Sequence, residues 1–188
     1  MTVEIKEIIK TLEKMERRQD EIIPKTREMI RDCSNGIKLL HAGKAKEAKE
    51  CIERVRAGIR KLKGKGKHDC LFERMFQQTY QEFTEAVVLL AVIEKKEIPG
   101  YKEMGVPFEA YLLGLCDCVG EFRREMLEEL KKGNKKRAEY YFDVMSDIYD
   151  SLIPIRFSGS LLPNFRRKQD VARMQVEQAR SELLRFLK

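Results

Sequence analysis

Residues suited to a buried helix face recur at steps of four and three from Ile8 through Leu12, Met15, Gln19, Ile22, Thr26, Met29, Cys33, Ile37 and Leu40, with one late skip. A seam of this period, held for roughly five heptads, can only be written on a helix. Pro24 falls inside it and removes one backbone donor, which predicts either one kinked helix or two helices sharing a register. The seam is expected to face the core rather than a partner. Only 11 glycines and 5 prolines in 188 residues, with no Trp, leave too few turn signals for a sandwich of short strands.

The rest of the chain repeats the helical pattern. His41-Ala42-Gly43-Lys44 breaks the first seam, and Ala45 to Leu62 reads as a second amphipathic helix. Glycines then alternate with lysines from Arg60 to His68, which predicts a basic loop. Asp69 fits an N-cap for a long helix from Cys70 to about Glu97, stopped by Ile98-Pro99-Gly100. A second long helix is expected from near Pro107 to about Lys132, closed by Gly133-Asn134, and a further one from Lys135 to about Leu152. A loop over 153–163 precedes a last helix from Pro163 or Asn164 to about Leu187. The expectation is an all-α bundle of six or seven helices, with residues 1–188 forming one domain.

Charge narrows the function classes. Charged residues are 37% of the chain, and the net charge of +7 suits a polyanion such as nucleic acid, although solubility alone explains part of it. The longest charge-free stretch near the middle of the chain, Ala86 to Ile93, is far short of the ~20 residues of a membrane span. The opening MTVEIKEIIK has no apolar leader region, so a cytoplasmic location without membrane attachment is expected. Five scattered cysteines read as reduced thiols, with Cys116 and Cys118 as small buried residues. Neither His41 nor His68 follows a Glu at the third position, so the pattern of di-iron bundles is absent.

Two acidic pairs carry the candidate chemistry. Glu82 and Glu85 stand at i and i+3 on the first long helix. Taking Glu82 as zero, Met75 lies at about +20°, Ala86 at about +40°, Leu71 and Leu89 at about −20°, and Glu85 at about −60°. Glu82 therefore occupies a mostly apolar stripe, where an ionised carboxylate needs a partner or a metal. On the second long helix Asp117 and Glu121 stand at i and i+4, opposite a stripe of Phe108, Leu112, Leu115, Val119, Phe122 and Met126. That face reads as solvated on its own, yet Ala110 and Gly114 on the same side would let another helix approach closely.

If the two long helices pack antiparallel through these faces, the four carboxylates form an oxygen-only cluster suited to Mg²⁺ or Mn²⁺. Two such ions could hydrolyse a phosphodiester, the chemistry of nucleases and nucleotide hydrolases. No nucleophile motif or glycine-rich phosphate loop competes. Arg123 and Arg124, the loop lysines Lys61, Lys63, Lys65 and Lys67, and the cluster Arg166, Arg167 and Lys168 are candidate phosphate contacts, each with a solvated face as the plainer alternative.

The segments 81–87, 111–121 (Tyr-Leu-Leu-Gly-Leu-Cys-Asp-Cys-Val-Gly-Glu) and 133–151 resemble the translin superfamily, nearest to its translin-associated factor X branch. The resemblance runs from roughly Gln19 to the end of the chain. It implies a seven-helix fold that assembles into hollow oligomers, commonly octamers, enclosing RNA. In the factor X branch it further implies a Mg²⁺-dependent endoribonuclease, with Glu82, Glu85, Asp117 and Glu121 as its acids and a translin-like subunit as partner; here a homo-oligomer is expected. Two alternatives stand beside it: a non-catalytic shell that binds RNA or single-stranded DNA, and an all-α nucleoside triphosphate pyrophosphatase, which also pairs Glu-x-x-Glu with acids on a second helix.

Overall fold

The computed structural model describes residues 5–63 and 70–187, and among them there is no strand. The helices are α1 (Ile5–His41), α2 (Ala45–Lys63), α3 (Cys70–Ile93), α4 (Tyr101–Met104), α5 (Phe108–Lys131), α6 (Lys135–Leu152) and α7 (Phe165–Leu187). The all-α expectation holds, and the short α4 is the one element that sequence periodicity missed. The expected Asp69 cap and the loop residues Lys65 and Lys67 lie outside the described residues.

Pro24 does not divide the first seam: α1 runs unbroken for 37 residues. Its two halves differ in burial. Ile22, Thr26, Met29, Cys33, Ile37 and Leu40 are buried, whereas Ile8 is 52% and Leu12 57% exposed and Met15 is exposed as well. The expectation of a core-facing seam is corrected for this first half. The α1–α2 pair explains the boundary, because α2 covers only the C-terminal half: Gly36 lies against Ala48, Cys51 and Ile52, and Gly58 against Met29.

Turn chemistry fixes most helix ends. Gly43 and Gly133 adopt left-handed φ of 74° and 76°, the conformation a helix C-terminal cap requires. Gly105 does the same for α4 at φ 69°, and the left-handed cap on a residue other than glycine is unexpected. Lys95 takes φ 57°, with Lys95 N donating to Val92 O at 3.0 Å and Lys96 N to Ala91 O at 2.8 Å. That cap ends α3 at Ile93 rather than near Glu97, and a lysine there gives no glycine signal.

The direction of α5 relative to α3 is the correction that matters most for the site. A Cβ built at Gly114 would meet Thr84 and the Gln81 carbonyl, while four residues on, the Cys118 thiol faces the Glu85 carbonyl at 3.9 Å. An advance of four on one helix matches an advance of four on the other, so the two run parallel, not antiparallel as expected. The 94–107 connection therefore travels back along α3, with Met104 and Gly105 passing beside Phe83. Fourteen residues at ~3.3 Å each easily retrace a helix that rises ~36 Å. Ala110 on the Gly114 face is buried, and so are Val119, Phe122 and Met126 of the opposite stripe, Phe122 stacking on Tyr141 of α6, whereas Phe108, placed on that stripe by periodicity, is half exposed against Tyr101.

Candidate functional site

Glu82 and Glu85 on α3 and Asp117 and Glu121 on α5 share one electrostatic neighbourhood, half-buried along the seam where the helices meet. Burial raises the Glu85 carboxyl first, and repulsion from Asp117, Glu121 and Glu82 adds to it, pushing the group up to about 8. Burial and then Asp117 raise Glu82. Asp117 is raised by burial, against the opposing pull of Lys168. The two sequence-distant pairs thus come within electrostatic range of one another, across parallel rather than antiparallel helices.

Two cations close the ends of the cluster. Lys168, on the first turn of α7, donates from Nζ to Asp117 Oδ2 and, at 3.0 Å, to Gln81 Oε1. It thereby ties α7 to both α3 and α5. At the other end His41, the last residue of α1, places Nε2 2.5 Å from Glu121 Oε2 and Nδ1 2.5 Å from Glu125 Oε1. The ring is only 7% exposed. Burial works against its charge, but the hydrogen bonds to Glu121 and Glu125 outweigh it and raise the imidazole to about 9. His41 and Glu125 had no signal in the sequence: the ring and its partners are eighty or more positions apart, and a Glu at i+4 from another Glu reads as surface. Glu125 is in fact buried.

The candidate phosphate contacts divide. Arg123 is engaged within the chain, its guanidinium bonding both Glu182 oxygens and, at 3.0 Å, Gln175 Oε1 of α7. Arg124 is exposed, with its nearest acidic oxygen, Glu121 Oε2, at 3.9 Å. Lys61 on α2 and Arg166 and Arg167 on α7 are exposed, and Lys63 is the last residue of α2. Lys168 differs from its cluster mates in facing the acids. A cleft of about 720 Å³ opens beside Gln81, with Arg74, Pro107, Leu161 and Phe165 among its walls.

Glu82, Glu85, Asp117 and Glu121 are a hard-oxygen donor set of the kind that suits Mg²⁺ or Mn²⁺. Their mutual repulsion is what a divalent cation would relieve. The side chains are not already closed round a common point: among the described residues, no three His, Cys, Asp or Glu groups are gathered at metal-holding distance. Asp117 turns instead to Lys168, and Glu121 to His41. The described cysteines Cys33, Cys51, Cys116 and Cys118 are free and buried, as expected, and burial keeps the Cys116 and Cys118 thiols protonated.

The comparisons with known proteins agree with this architecture. The family model described as the Translin family matches residues 3–181. An uncharacterized protein of Methanocaldococcus jannaschii is 33% identical over 171 residues, covering 90% of this chain and 76% of that protein. AfC3PO in its complex with duplex RNA superimposes with a TM-score of 0.87 at 30% identity, covering 98% of this chain and 96% of that one. Apo-NeC3PO, at 24% identity and a TM-score of 0.86, covers 99% of this chain and 98% of its own and shares the fold. With a family model spanning almost the whole sequence and the seven-helix architecture in place, the chain belongs to the translin family.

Proposed function

We propose that the chain is a divalent-metal-dependent endoribonuclease of the factor X type, working on RNA held inside a homo-oligomeric shell. The observation that carries the reading is that Glu82 and Glu85 of α3 and Asp117 and Glu121 of the parallel α5 lie within electrostatic range of one another, where burial first and then repulsion from Asp117, Glu121 and Glu82 raise Glu85 to about 8. The similarity to AfC3PO, which binds duplex RNA, supports RNA as the polymer. Glu82, Glu85, Asp117 and Glu121 would hold Mg²⁺, which when bound polarises the phosphodiester and acidifies the attacking water. Around that ion the chain's own groups set the stage. Lys168, which bonds Asp117 and Gln81, and Arg124 supply positive charge at the rim. Burial of Glu85 keeps bulk water from screening the carboxylates. Arg166, Arg167 and Lys61 contribute sequence-independent attraction to the RNA backbone.

The test is incubation of end-labelled single- and double-stranded RNA with the protein in Mg²⁺, Mn²⁺ or EDTA. Metal-dependent internal cleavage is expected, reduced by ~10²-fold or more in Asp117→Ala and Glu82→Ala while RNA binding largely persists. Intact RNA under every condition, with salt-sensitive binding, would instead establish a passive shell. Hydrolysis of free nucleoside triphosphates with RNA untouched would establish the pyrophosphatase.

A further inference from the structure

Glutamate at a helix surface is a poor fixed ligand, because its rotatable bonds cost ~1.5–2 kcal/mol to freeze. Glu121 is held by something other than the acid cluster. His41 Nε2 sits 2.5 Å from its Oε2, and the opposite ring nitrogen sits 2.5 Å from Glu125 Oε1. Carboxylate oxygens accept, so both ring nitrogens must donate and the imidazole carries both protons. Glu121 and Glu125 lie one turn apart on α5, a spacing that one imidazole spans. The ring arrives on the last residue of α1, where the negative end of the helix favours a cation. Ring and Glu125 side chain are 7% and 8% exposed, while Glu121, nearer the cluster, is 25% exposed.

We propose that His41 is the positioning residue of the acid cluster: anchored from behind by Glu125, it clamps one oxygen of Glu121 and leaves the other for the cation shared with Glu85 and Asp117. This inference rests on the metal-binding reading of the four acids. It makes α1 part of the site, although α1 contributes none of the acids. Outer partners of metal ligands typically change metal affinity 10–100-fold when lost, without touching the ion.

Manganese binding, followed by the loss of the free Mn²⁺ electron paramagnetic resonance signal, separates positioning from a merely structural clasp. The expected result is Mn²⁺ bound ~10-fold or more weakly by His41→Asn than by the unaltered chain, with RNA binding in EDTA unchanged and cleavage recovering at high Mn²⁺. Glu125→Gln, which keeps the His41–Glu121 pair but weakens its anchor, is expected to lose several-fold. Circular dichroism checks that each variant is folded; if His41→Asn is not, the comparison is read from Glu125→Gln. Equal Mn²⁺ affinity in the variants and the unaltered chain, even with a lowered Tm, would overturn the positioning role and leave the metal reading intact. Absence of Mn²⁺ binding by the unaltered chain would overturn both.

Discussion

Glu85 and His41 sit at opposite electrostatic poles of the site, and both resist giving up a proton. A carboxyl pushed up to about 8 and an imidazole raised to about 9 titrate above their unfolded values of 4.5 and 6.5. In the metal-free protein the folded state therefore binds more protons than the unfolded chain, from about pH 4.5 to 8 for Glu85 and from about 6.5 to 9 for His41. Stability must fall as pH rises through these windows. The Tm measured in EDTA is expected to decline from pH 6 to 9; Glu85→Gln should flatten the lower part of that slope and His41→Asn the upper part. A Tm that climbs over the same range would refute the protonation pattern. A cation competes with the Glu85 proton, so Mn²⁺ affinity should rise between pH 6 and 8 by up to ~10-fold per unit, an effect that Glu85→Gln removes. The acids were legible as individuals, since Glu82 interrupts an apolar stripe in the sequence itself. Their cations were not: no local pattern links His41 to Glu121 or singles out Lys168 from its neighbours Arg166 and Arg167.

At the scale of the element, Gly114 determines how near α3 and α5 come. A Cβ there would stand 2.7 Å from Thr84 Cβ and 2.9 Å from the Gln81 carbonyl, and the second of these is backbone that cannot swing aside. Gly114→Ala is expected to lower stability by ~1–3 kcal/mol and to weaken Mn²⁺ binding by prising the two acidic pairs apart. Chemical denaturation and a Mn²⁺ titration check the two effects, and an unchanged stability would show that the helices have slack. The small residues on this face were readable before the fold was known, and so was the inward turn they permit. Helix direction was not, because it is set by the 94–107 segment, whose return path along α3 leaves no mark in a heptad or an i+4 pair. The early end of α3 was hidden for a related reason: Lys95 takes a left-handed cap usually given to glycine.

For the molecule as a whole, the exposed first half of α1 is the largest departure from the seam that the sequence draws. Ile5, Ile8, Ile9, Leu12 and Met15 repeat with helical period yet stay exposed, with no cover among the described residues. The period reports burial without saying by what, and so it could not separate core from interface. In the proposed shell these residues are covered by other copies. Sedimentation of the unaltered chain should give a multiple of its 22.1 kDa mass, and Leu12→Glu with Ile8→Glu should shift the distribution toward smaller species without loss of helicity. A monomer at micromolar concentration would contradict the shell while leaving the acid cluster untouched. Among the described residues no helix is long and apolar enough to cross a membrane.

In the proposed nuclease the four carboxylates close round a divalent ion that loosens their grip on Lys168 and protons. Anomalous diffraction from crystals soaked in Mn²⁺ addresses this directly. The predicted result is a peak between α3 and α5 about 2.1 Å from oxygens of at least one acid of each pair, with the Lys168 ammonium moved off Asp117. Maps with no peak there, and Lys168 still seated on Asp117 at saturating Mn²⁺, would contradict it.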